Sequence, residues 1–163
     1  MATTHLKNNW CNIVRVGFTL SLSVGAAALI SSNATAAASA PASYYNECAA
    51  CHIAYPPSML PAASWNHILV QLNKHFGADA SLDSATEKSI AATLIQHAAK
   101  SGRMAEVPPQ DRITQSQWFN RQHHEISAGV WKRASVKSAS NCVACHADAS
   151  KGYFDEDTAR IPR

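Results

Sequence analysis

The chain carries Cys-Ala-Ala-Cys-His at residues 48–52 and Cys-Val-Ala-Cys-His at residues 142–146. No other feature limits its possible folds so strongly. C-x-x-C-H is the spacing of covalent c-type haem attachment. The two thiols add across the porphyrin vinyl groups as thioethers, and the histidine that follows is delivered to the iron as its proximal ligand. Cys48, Cys51, Cys142 and Cys145 are therefore the candidate attachment residues, His52 and His146 the candidate proximal ligands, and two haem c groups the expected cofactors.

Three other readings of the cysteines are weaker. The first segment has a weakly basic start at Lys7 and Arg15, an apolar run over residues 16–30, and the small-residue stretch "NATAAASA". That is the pattern of a secretory signal, expected to span residues 1–36 and to leave a single domain over residues 37–163. An apolar run of about 15 residues is short of the roughly 20 that a spanning helix needs. Cleavage removes Cys11, and all four remaining cysteines fall inside the two motifs. An exported chain with four cysteines can be a two-disulfide scaffold, but such a scaffold needs no histidine after each pair. A zinc site made of the four cysteines also leaves both histidines unexplained, and a thioredoxin-like dithiol requires a βαβ setting that the sequence lacks.

Charge adds little. Of 14 Lys and Arg residues two depart with the signal, leaving 12 against 11 acids. No basic run of the kind nucleic-acid binding needs is present.

Function then turns on the sixth position of each iron. Methionine there raises the potential, a second histidine lowers it, and an open position allows gas binding or catalysis. The mature chain has two methionines, Met59 behind a pair of prolines and Met104 in a loop, both better suited to packing than to ligation. Histidines outside the signal and motifs are His67, His75, His97, His123 and His124.

Periodicity ranks these histidines. Residues 64–77 read as a helix capped by Ser64 and ended by Gly77, with an apolar stripe of Trp65, Ile68, Leu69, Leu72 and Phe76. At about 100° per residue, His75 lies roughly 75° from the centre of that stripe and His67 roughly 155°. His75 can face a buried iron, whereas His67 faces solvent. A second helix opens with a capping box from Ser84 to Glu87 and closes at Ser101-Gly102, aligning Ile90, Leu94 and His97. A third, capped by Thr114 or Ser116, puts Phe119, His123, Ile126 and Val130 in one stripe, with His124 toward the polar side. His75 and His123 are thus the preferred distal ligands, with His97 left open. Prolines mark the connections, and no stretch alternates as a strand does. The expected fold is mainly α, with helices and long loops packed around two covalently bound haems.

The runs "ECAACHIAYPPSMLPAASW", "LNKHFGADASLD", "RITQSQWFNRQHHEI" and "NCVACHADASKGYFDE" resemble the small dihaem cytochrome c family, whose members pair with the high-spin monohaem cytochrome called sphaeroides haem protein. The resemblance covers nearly all of the mature chain. It implies two low-spin, low-potential, bis-histidine haems, a periplasmic location and electron transfer toward that partner. In the family pattern the distal histidines correspond to His75, before Phe-Gly, and His123, four residues after the phenylalanine of Trp-Phe. The simplest pairing gives His75 to the first haem and His123 to the second, with the crossed pairing as the alternative.

The expectation is therefore an electron carrier rather than an enzyme. Its partners would be redox proteins, namely a high-spin monohaem cytochrome c and a membrane cytochrome as donor, and the mature form would be monomeric, without membrane anchor or nucleic acid. Two alternatives stand beside it: a haem enzyme or gas binder with one open iron, and a dihaem subunit of a periplasmic reductase.

Overall fold

The structure, a computed structural model, describes residues 41–163. The signal peptide expected over residues 1–36 lies outside the described residues. Five α-helices occur among them: α1 (Ala42–Cys48), α2 (Ala62–Leu69), α3 (Ser84–His97), α4 (Gln117–Gln122) and α5 (Ala128–Trp131). Short 3-10 turns and irregular chain join them. Strands are absent among the described residues, where pairing is limited to the isolated bridges Pro61–Ala99 and His75–Ala78. None of these helices is long and apolar enough to cross a membrane.

The core forms where α1, α2 and α3 meet. Tyr44, Ala54, Leu60, Trp65, Leu69, Ile90, Leu94 and Ala98 make one buried cluster. Ile90, Leu94 and Ala98 recur every four residues, which places them on one face of α3. Burying a residue such as Leu60 or Ile90, each 1 % exposed, contributes about 1.5–3 kcal/mol. Two hydrogen bonds lock the layer: Ala99 N–H donates to the Leu60 carbonyl at 2.9 Å, and the Trp65 indole donates to the Pro57 carbonyl at 2.7 Å.

Helix boundaries differ from the sequence-based expectation for identifiable reasons. α2 starts after Pro61 rather than at Ser64, because extended Pro61 (φ −71°, ψ 159°) leads directly into the first turn; Ser64 is buried inside the helix. α2 also stops at Leu69, and a separate 3-10 turn, Leu72–Lys74, leads into His75. α3 is capped by Asp83, whose carboxylate accepts from Ala85 and Thr86 N–H, so Ser84 is its first residue rather than its cap. It ends at His97, four residues before Ser101, because Ala98 turns extended (ψ 157°) and brings Ala99 to pair with Pro61 at the start of α2. The expected third helix is two short ones. Ser116 caps α4, but the chain leaves helical geometry at His123 (φ −119°, ψ 20°) and re-enters only after Ser127.

Candidate haem sites

The first site grows from the end of α1. Cys48 closes that helix, and a turn carries the chain through Cys51 to His52. His52 Nδ1–H donates to the Ile53 carbonyl at 2.7 Å. A carbonyl can only accept, so the ring proton sits on Nδ1 and Nε2 keeps its lone pair for a metal.

Opposite His52 stands His75. It is not on a helix. His75 N–H donates to Leu72 O at 3.2 Å, and Ala78 N–H returns to His75 O at 3.0 Å. Between them the chain makes a left-handed turn at Phe76 (φ 51°) and Gly77 (φ 104°). Glycine suits the second position, whereas a bulky residue at positive φ is strained. The Arg112 guanidinium lies 4.4 Å over the Phe76 ring and helps to hold it there. The turn presents His75 to His52 with ring centroids 6.0 Å apart and planes 28° from parallel. Burial first, then His52 and Arg112, keep His75 below its ordinary pKa, so the neutral ligand form is favoured.

The second site is the first in mirror logic. Cys142, Cys145 and His146 lie on a 3-10 turn, Cys142–Ala144, and the residues after it. Arg160 N–H of the C-terminal segment donates to the Cys145 carbonyl at 2.9 Å and pins that segment over the turn. His123 faces His146 at 6.2 Å between centroids, with planes 84° apart. In this pair the histidine just past the end of α4 is the one with the fixed tautomer: His123 Nδ1–H donates to Phe119 O at 2.9 Å, and its ring stacks on Phe119 at 4.1 Å. Trp131 of α5 closes the other side at 5.8 Å. His146 Nδ1 is buried without a hydrogen bond of good geometry, and its pKa is lowered chiefly by burial and then by His123.

These distances fit a metal between the rings. With a metal–nitrogen bond of about 2 Å and ring bonds near 1.33 Å, two imidazoles on opposite sides of one iron have centroids about 6–6.5 Å apart. Each motif thus has one partner histidine at a suitable distance, in the uncrossed arrangement. A protein-only metal cage is not supported: among the described residues no group of three or more His, Cys, Asp or Glu side chains converges. All four thiols are free. Burial pushes Cys48 up to about 11, with Glu47 adding to it, and burial raises Cys142 and Cys145 as well. A redox dithiol needs the opposite shift.

The remaining histidines lie apart from both pairs. His67 is exposed (side chain 59 %) and sits 3.3 Å from Asp111. His124, next to His123, is also exposed (71 %), with Nδ1 on the Arg121 carbonyl at 2.9 Å. His97 is half-buried at the end of α3. Met59 is buried and Met104 half-buried. Sequence reasoning missed Tyr55, whose ring lies 5.0 Å from His52; no local pattern marks it, because its other partner is 85 residues away.

A family model described as dihaem cytochrome c matches residues 44–154. Three solved structures are similar. The diheme cytochrome type c from Shewanella baltica OS155 is 40% identical, with a TM-score of 0.67 over 77% of this chain and 95% of that one. DHC purified from Rhodobacter sphaeroides is 39% identical, with a TM-score of 0.62 over 71% and 98%. A further diheme cytochrome c from Rhodobacter sphaeroides is 40% identical, with a TM-score of 0.62 over 69% and 94%. No curated protein matches.

Proposed function

The chain belongs to the dihaem cytochrome c family, whose two haem c groups imply electron transfer, and from that premise we propose a low-potential, exported electron carrier with histidine on both sides of each iron. The observation that carries the ligation is the pair of histidine–histidine separations, 6.0 Å for His52 and His75 and 6.2 Å for His123 and His146. Bound haem supplies one-electron exchange between ferric and ferrous iron.

The residues do the rest. Cys48 and Cys51 would hold one haem, Cys142 and Cys145 the second. Backbone carbonyls of Ile53 and Phe119 fix the tautomers of His52 and His123, which keeps Nε2 available in both oxidation states. A closed sixth position leaves no room for substrate, and imidazole holds the potential below that of methionine ligation. Val143, between the cysteines of the second motif, is exposed, which leaves that attachment turn open to a docking protein. Such encounters are small and transient, burying under about 1,200 Å². The proposed partners are a high-spin monohaem cytochrome c and a membrane cytochrome donor, in the periplasm.

The test is an optical spectrum of the exported holoprotein, oxidised and reduced, with and without carbon monoxide. Sharp low-spin bands, no methionine-type long-wavelength absorbance and no response to carbon monoxide are expected. Carbon monoxide binding by about half of the haem would instead indicate one open iron and overturn the reading.

A further inference from the structure

In the strap of residues 53–57 the Ile53 carbonyl already serves His52, whereas Tyr55 and Pro56 have no role in the proposed ligation, yet they reach from the first site to the second. The Tyr55 ring tilts at 33° against His52, 5.0 Å between centroids. Its hydroxyl donates to the Ser140 carbonyl at 2.8 Å. Ser140 lies two residues before Cys142, the first residue of the second motif, and the same carbonyl faces the Cys142 thiol at 3.7 Å. The strap is also fixed from behind: the hydroxyl of buried Tyr44 on α1 donates to the Tyr55 carbonyl. Beside it, Pro56 borders Gly152, where an added Cβ would stand 3.7 Å from the proline ring. Tyr55 and Pro56 thus grip the second motif on both flanks, Ser140 before it and Gly152 after it.

We propose that Tyr55 is a positioning residue shared by both haem sites, its ring bearing on the proximal histidine of the first and its hydroxyl on the turn that anchors the second, so that it sets the spacing of the two irons and couples their redox behaviour. This rests on the proposed attachment of one haem at each motif. An electron passing between the sites oxidises one ferrous iron and reduces one ferric iron; Tyr55 gains and loses neither electron nor proton. Its action is through orientation and outer-shell hydrogen bonding, both of which set haem potentials. The contact joins the two sites through one packed and hydrogen-bonded side chain, the kind of physical connection that can carry energetic coupling.

The experiment compares the exported holoprotein with Tyr55→Phe, which removes the hydroxyl and keeps the ring. Haem content is counted first, by mass and by the pyridine haemochrome spectrum. Spectroelectrochemical titration then gives both potentials, and rapid partial reduction gives the rate of electron exchange between haems. The variant is expected to keep two low-spin haems while shifting the potential of the second site and slowing exchange severalfold. Unchanged potentials and exchange overturn the proposal, even if thermal stability falls. Should Y55F fail to retain both haems, Tyr44→Phe loosens the same strap and is read by the same two outcomes. Fewer than two haems in the unsubstituted protein would overturn the underlying reading itself, a result distinct from the other two.

Discussion

At the scale of single residues, four histidines are distinguished from their neighbours by what holds each ring. His123 is stacked on Phe119 and tied to its carbonyl, whereas adjacent His124 points to solvent. His123→Ala should leave both haems covalently attached and convert about half of the haem toward high spin, since one of two irons loses an axial ligand. His75→Ala should do the same at the other iron. His124→Ala and His67→Ala should leave the visible spectrum unchanged, and a high-spin signal from either would reassign the ligand. The two pairs also differ in angle, 28° against 84°. Near-parallel imidazole planes split the two iron d orbitals that π-bond with them, and near-perpendicular planes leave those orbitals close in energy. The oxidised protein should therefore show two distinct low-spin signals by electron paramagnetic resonance, with the more anisotropic one lost in H123A and the other in H75A.

At the scale of elements, much of the fold rests on helices too short to persist alone. α4 has six residues and α5 four, against the roughly 12–15 at which an isolated helix becomes even marginal. α4 depends on its cap: buried Ser116 accepts from Phe119 N–H at 3.0 Å. Ser116→Ala should lower unfolding stability by about 1 kcal/mol, measured by denaturant titration, with haem content unchanged. The same shortness explains what was and was not legible in the sequence. α3 could be read because Ile90 and Leu94 recur on one face and acidic or hydroxyl residues crowd its start. The run from Phe119 to Val130 has helical spacing too, but the paired His123 and His124 are weak helix formers, and Ser127 caps a new helix instead. The proposed attachment cysteines and His52 and His146 stand out in the sequence because thioether chemistry dictates such spacing. His75 was singled out by a helical wheel that does not apply to it, since a 3-10 turn and the strained Phe76-Gly77 corner aim the ring. Tyr55 could not be seen at all, because its role is a contact between distant segments.

At the scale of the whole molecule, protein packing is unevenly distributed. The main buried cluster is drawn entirely from residues 44–98. Beyond residue 100 the buried apolar residues are Pro108, Phe119, Val130, Val136 and Ala149. A chain of this size buries a limited fraction of its surface, and the second half has little core besides what a porphyrin between His123 and His146 would supply. Replacing Cys48, Cys51, Cys142 and Cys145 by serine removes covalent attachment and changes one residue of the five α-helices, Cys48 at the end of α1. The two halves should then part company. Residues 44–98 keep the α1–α2–α3 cluster and its Ala99-to-Leu60 tie, whereas α4 and α5 lose the surface they pack on. Trypsin should cut the haem-free chain first at Arg103, Arg112, Arg121 and Arg133, and at Lys88 within α3 only later, with helical circular dichroism reduced rather than abolished. Equal cleavage at Lys88 and Arg121 would mean that the first half, too, is held together by its haem rather than by its own side chains.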